Sequence, residues 1–294
     1  MTSTVAKVNG ISICYETFGP ADGVPLLLVM GLGVQMIAWE DDFCRGLADR
    51  GYFAIRFDNR DVGESTHLHD APPPDVLAAL HRKDMSSASY TLEDMADDSV
   101  GLLDELGIER AHLVGVSMGG MIAQTLAIRH PGRVASLTSV MSTPAPAIGP
   151  PTREAMAALM QPPAESREQA IENSLRTADV IASPGFPRDD ASIRDRAGRS
   201  YDRGFDPMGV GRQLLAIHAS GDRSSALTGV TVPTVVVHGL DDPLVGVDGG
   251  RATAAAVPGS ELVLIEGMAH DLPPGVWPRL YDAIDSAVRR ASQP

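Results

Sequence analysis

The sequence is poor in lysine, cysteine and aromatic residues, and it carries no long apolar run. Lys7 and Lys83 are the only lysines, and Lys plus Arg number 24 against 38 Asp plus Glu, a net charge of −14. A phosphate backbone calls for a basic footprint, so this balance excludes the ordinary nucleic-acid binder. Two cysteines are too few for a disulfide framework. Cys14 falls in an expected strand and Cys44 in an expected helix, and free thiols are the expectation for both. Neither sits in a C-x-x-C pair or beside a Cys/His pair, so zinc gains no support. The longest apolar run lies around Leu26-Leu27-Leu28-Val29-Met30, far short of the ~20 residues that span a bilayer. Residues 1–7 show no positive segment followed by an apolar one, so a cytoplasmic location is expected. Aromatics make up 4% of the chain, which argues against an aromatic cage in any binding pocket.

What is present is a globular composition, 44% hydrophobic and 21% charged over 294 residues. Residues 4–18 predict two strands turning at Asn9-Gly10. Strands follow at Leu26–Met30, Phe53–Phe57, His112–Val116, Val134–Met141, Thr234–Val237 and Leu262–Ile265. Helices are expected at 36–50, Thr91–Leu106, Met118–His130, 248–257 and Trp277–Arg290. Strands alternating with helices across short turns imply a mainly parallel sheet with one antiparallel edge. The alternation stops between Pro144 and about Thr228, where the chain is helix-like and opens with a run of prolines. That stretch has ten Arg and eleven Asp plus Glu, so the acidity belongs to the rest of the chain. The expected division is a core of 1–143 and 229–294 with a helical insertion of 144–228.

The sharpest chemical signal is Gly115-Val116-Ser117-Met118-Gly119, which closes an expected strand and opens an expected helix. A serine on so tight a turn needs small neighbours at Gly115 and Gly119. The following helix aims its N-terminus and the Met118 N–H at the space beside Ser117, where negative charge would develop. A serine needs a base, and the base an orienting acid. The strand Thr234–Val237 ends in His238-Gly239-Leu240-Asp241-Asp242-Pro243, and Leu262–Ile265 ends in Glu266-Gly267-Met268-Ala269-His270. Both lie past carboxyl ends of strands, where open α/β sheets place ligands. Of eight histidines His270 is favoured as base, and His238 is the rival. His67 and His69 read as solvated loop residues. Asp242 and Asp241 compete for the acid, with Asp242 preferred because the Asp-Pro step starts the next turn. A second oxyanion donor is expected after strand 26–30, at Leu32 between Gly31 and Gly33. The charged turn Asp58–Ser65 is expected to brace the floor of the site, and Asp97-Asp98 to form a solvated helix face. Met30 predicts an apolar, pliable wall, and Phe186, Tyr201, Phe205, Met156, Met160 and Met208 are the large apolar residues of the insertion available to a pocket.

These residues carry a resemblance. Met30-Gly31-Leu32-Gly33, Asp58 to Ser65, Gly115 to Gly119, Gly239 to Val245 and Gly267 to His270 resemble the α/β-hydrolase fold, an eight-stranded, mainly parallel sheet flanked by helices. Within it, the chain is similar to bacterial carboxylesterases related to aclacinomycin methylesterase, which share Met-Gly where most relatives have His-Gly. The resemblance implies a catalytic triad of Ser117, Asp242 and His270, an oxyanion hole from the Leu32 and Met118 N–H groups, and a cap formed by 144–228. It implies hydrolysis of a small-molecule carboxylic ester without metal or organic cofactor, in a monomer or homodimer. The same triad serves cofactor-free haloperoxidases or perhydrolases, lactonases and C–C hydrolases. A ligand-binding receptor of the same fold is the non-enzymatic alternative.

Overall fold

The computed structural model describes residues 3–293. Its centre is one sheet of eight strands in the order β1-β2-β4-β3-β5-β6-β7-β8. These are β1 (Thr4–Val8), β2 (Ile11–Phe18), β3 (Val24–Val29), β4 (Tyr52–Phe57), β5 (Ala111–Val116), β6 (Val134–Val140), β7 (Thr234–Gly239) and β8 (Glu261–Ile265). The first two pair antiparallel through Asn9 and Gly10, and β2 runs antiparallel to β4. Every later pairing is parallel. The chain leaves β3 toward β4 on one side and returns past it to β5 on the other. The carboxyl ends of β3 and β5 therefore border a crevice.

Alternation along the strands sends side chains to opposite faces. Leu27 and Val29 join one buried cluster with Ile55, Leu113 and Leu137, against Leu102 and Leu103 of α3 (Leu92–Glu105) and Ile122 and Leu126 of α4 (Met118–Arg129). Leu26 and Leu28 join the other with Val114 and Val235. There they meet Phe43 and Leu47 of α1 (Asp41–Ala48) and Leu280 and Ile284 of the last helix, Trp277–Ala291. Each such side chain contributes about 1.5–3 kcal/mol by leaving water. Thr91 and Asp94 form the capping box expected at the start of α3, and Gly107 closes it at φ 67°. Within 66–90 the chain forms α2 (Val76–Arg82).

Two sequence expectations need correction. The helix expected at 36–50 is a short 3-10 turn at Met36–Ala38 followed by α1. The break falls at Trp39 and Glu40, both extended, because the Met36 N–H donates to Asp58 Oδ1 (2.7 Å) and the Trp39 carbonyl accepts from Arg56. The expected solvated face at 97–98 is half right. Asp97 meets Arg129 and His130 at the surface, but Asp98 is buried and takes the Arg60 guanidinium on both oxygens (2.6 and 2.8 Å).

Between β6 and β7 lie five helices: α5 (Arg153–Leu159), α6 (Arg167–Ile181), α7 (Asp190–Arg203), α8 (Pro207–Ala219) and α9 (Ser224–Leu227). Past β7 come α10 (Asp248–Ala256) and α11 (Trp277–Ala291). Among the described residues no helix is long and apolar enough to cross a membrane. Cys14 and Cys44 are free and buried, and burial pushes both thiols up to about 12.

Candidate active site

Ser117 stands between β5 and α4 at φ 56°, ψ −120°, a conformation that side chains avoid. The flanking glycines make it possible. A Cβ on Gly115 would lie 2.2 Å from the Gly119 carbonyl oxygen, and one on Gly119 would lie 2.1 Å from the Val29 carbonyl oxygen. The turn is pinned by the Ser117 N–H donating to the Val140 carbonyl (2.9 Å) and by the Ser142 hydroxyl donating to the Ser117 carbonyl (2.8 Å). Ser142 is a support that the sequence did not flag.

The chain brings His270 and Asp242 to this serine. His270 Nε2 lies 3.0 Å from Ser117 Oγ, and His270 Nδ1 lies 2.7 Å from Asp242 Oδ2. The other oxygen of Asp242 accepts from the N–H groups of Leu244 and Val245, both at 2.9 Å. Burial alone would raise this carboxyl. The charge of His270 and hydrogen bonds from His238, His270 and Val245 outweigh it and hold the group well below the usual carboxylate range. The rival acid, Asp241, turns away and accepts from the Gly267 N–H (2.9 Å). The rival base, His238, is fully buried behind Asp242: its Nε2 donates to the Val245 carbonyl (2.8 Å) and lies 3.5 Å from Asp242 Oδ2.

Leu32 and Met118 stand on the loop after β3 and at the first turn of α4. Among the described residues neither N–H has a protein acceptor, whereas Gly33 donates to Gln213 (2.8 Å) and Val34 to Gly31 (3.2 Å). The Met118 N–H is one of the donors that a helix N-terminus leaves open. The loop is held from beneath by Asn59 donating to the Met30 carbonyl (3.0 Å). Gln213 of α8 ties it sideways, since its amide also donates to the Arg60 carbonyl (2.7 Å).

The charged turn braces the site through groups that no local pattern announces. Asp61 is buried and clasped by Arg212 of α8 through two bonds of 2.8 Å, with the Tyr90 hydroxyl donating to it (2.7 Å). Asp58 is buried against Arg203 of α7 (2.8 Å). His67, expected in solvent, is wedged between the Gly63 carbonyl (2.9 Å) and Asp206 (3.0 Å), while His69 beside it is exposed. The two ring nitrogens of His67 thus tie the charged turn to the start of α8.

A cavity of about 1140 Å³ lies between the sheet and helices α5 to α8, and Ser117 and His270 open into it. Met30, Met121, Met156, Met160, Tyr201 and Phe205 contribute to its wall. Two of the expected wall residues lie elsewhere: Phe186, half-buried, packs against the core, and Met208 is exposed.

A sheet of this order, with a strained serine after its fifth strand, defines a class, the hydrolases of the α/β type. The chain belongs to the alpha/beta hydrolase fold family, whose model matches residues 24–273. It is similar to rhodomycin D methylesterase DauP of Streptomyces sp. strain C5, 28% identical over 99% of this chain and 100% of that protein. It is also similar to 3-oxoadipate enol-lactonase 2 of Acinetobacter baylyi, 27% identical over 87% of this chain and 85% of that one. Among solved structures, a thermophilic esterase from Thermogutta terrifontis matches with a TM-score of 0.72 at 24% identity, over 100% of both chains.

Proposed function

We propose that this protein hydrolyses a carboxylic ester through an acyl-enzyme intermediate. The observation that carries the reading is the continuous relay from Ser117 Oγ to His270 (3.0 Å) and on to Asp242 (2.7 Å), open to a large, mainly apolar cavity. Ser117 attacks the carbonyl carbon as His270 Nε2 takes its proton. Asp242 keeps the imidazole in the tautomer that leaves Nε2 free, and stabilises the imidazolium. The N–H groups of Leu32 and Met118 hold the oxyanion, each worth about 3 kcal/mol of barrier. The tetrahedral adduct collapses, and His270 passes its proton to the departing alcohol. A water then gives its proton to His270 and attacks the acyl group, and the second adduct collapses as His270 returns that proton to Ser117 Oγ, releasing the acid.

In this reading 144–228 is the cap and 1–143 with 229–294 the catalytic core. A hydroxyl held by an imidazole whose far nitrogen rests on a carboxylate is the general condition for an activated serine. Full-length likeness to a methylesterase makes methyl esters the natural first substrates. Methionines in the wall suit a bulky apolar group. The test is a panel of methyl and p-nitrophenyl esters of rising acyl length on wild type and Ser117→Ala. The expected result is turnover that depends on acyl length and falls by at least about 10⁴-fold in the variant. Turnover retained in the variant contradicts the reading. Lactone opening or peroxide-dependent chemistry in place of ester turnover would shift the substrate class and leave Ser117 in its role.

A further inference from the structure

The loop that carries His270 is held less by the sheet than by the helical segment above it. Five hydrogen bonds join residues 181–185 to residues 267–271. The His270 N–H donates to the Ile181 carbonyl (3.0 Å), using an acceptor that the end of α6 leaves open. The Gly185 N–H donates to the Gly267 carbonyl (2.9 Å). The other three involve Ser183, which is 4% exposed. Its hydroxyl accepts from the Ala269 N–H (2.8 Å) and donates to Asp271 Oδ1, and its own N–H donates to the same oxygen (3.0 Å). Ala269 and Asp271 flank His270, so one side chain fixes the backbone on both sides of it.

We propose that Ser183 is a positioning residue for His270, and that His270 is held in register with Ser117 only while the 181–185 segment is seated. The proposal rests on the ester-hydrolase reading above. Its physical basis is the sensitivity of a proton relay to placement: a shift of about 1 Å can cost about 10²-fold in rate. Ser183 touches neither the serine nor the reacting atoms, so its effect belongs to the chemical step and not to substrate binding. Asp271 is the other half of the clamp. Burial raises its carboxyl above the ordinary range, while the Ser183 hydroxyl and N–H oppose that shift, as do His270 and Arg196.

The test compares wild type, Ser183→Ala and Ser183→Thr on one p-nitrophenyl ester, with a thermal melt of each. Ser117→Ala serves as the inactive control. The prediction for Ser183→Ala is a kcat lowered about 10- to 100-fold with KM within about threefold. The rate at which a fluorophosphonate labels Ser117 falls in the same proportion. The hydroxyl of Ser183→Thr restores kcat to within about threefold of wild type. A merely structural hydroxyl would lower the melting temperature and leave kcat alone. That outcome, or a fall in kcat that threonine does not rescue, overturns the proposal. If Ser183→Ala does not fold, Asp271→Ala takes its place. It removes the acceptor of two bonds of the same clamp, and a kcat unchanged within twofold in that variant overturns the proposal equally. Wild-type behaviour of Ser183→Ala beside a dead Ser117→Ala removes this inference alone. Turnover in Ser117→Ala removes the reading beneath it.

Discussion

Ser117 reaches the cavity from a backbone conformation that would cost it about 1–3 kcal/mol in isolation. The surroundings over-determine that conformation. Val140 and Ser142 bond both sides of its peptide, and the backbone packs so closely at Gly115 and Gly119 that neither position has room for a side chain. Asp242 divides its two oxygens between tasks. Oδ1 holds the turn through Leu244 and Val245, and Oδ2 faces His270. Asp242→Asn therefore separates structure from chemistry. The amide oxygen can still accept from the two backbone N–H groups, while the NH₂ meets Nδ1 of His270 and forces the wrong tautomer. The expected result is a folded protein whose kcat on a reactive ester falls about 10⁴-fold. A variant within tenfold of wild type would remove Asp242 from the relay.

At the scale of the element, β5 leads into Ser117 at its carboxyl end and carries a buried histidine near its start. His112 Nδ1 lies 2.8 Å from Ser136 Oγ on the neighbouring β6. Burial, aided by the charge of Arg110, lowers this histidine from an ordinary 6.5 to about 4. The folded chain thus refuses a proton that the unfolded chain accepts. Its contribution to stability is complete above about pH 6.5 and is lost as pH falls toward about 4. His112→Gln should flatten that part of the stability curve, as read by urea midpoints between pH 7 and pH 4. An unchanged slope would contradict the assignment. The elements themselves were legible where the signal was local. Apolar runs bounded by turns gave the strands, and Gly115 to Gly119 was readable because every residue it needs lies within five positions. Helix α1 was misjudged because its true start depends on Asp58 and Arg56, which reach back from β4 and its turn. Asp98, His67 and Ser183 were missed for the same reason. Their partners Arg60, Asp206 and Asp271 lie 38, 139 and 88 residues away, and no periodicity records such pairings.

Across the whole molecule, the carboxyl ends of β5, β7 and β8 collect a serine, an aspartate and a histidine spread over more than half the chain. The helical segment is tied to the same region by charge. Arg212 and Asp61 are both almost fully buried, and Arg203 meets Asp58 nearby. Removing one member leaves an uncompensated charge out of water, whereas neutralising both does not. Arg212→Met should lower stability by about 3–5 kcal/mol in urea unfolding. Arg212→Met with Asp61→Asn should recover part of that loss, because the amide oxygen still accepts from the Leu68 N–H and the Tyr90 hydroxyl can turn to accept from the NH₂. A double variant no more stable than the single one would show that the pair acts by geometry instead of charge balance.

The measurement closest to the central claim is covalent capture at the serine. Wild type, Ser117→Ala and His270→Ala would be treated with a fluorophosphonate, digested and mapped by mass spectrometry. The account predicts stoichiometric modification of the Ser117 peptide in wild type, none in Ser117→Ala, and labelling slowed at least about 10³-fold in His270→Ala. Ester turnover by a wild-type protein that takes no label at Ser117, or equal labelling without His270, would contradict it.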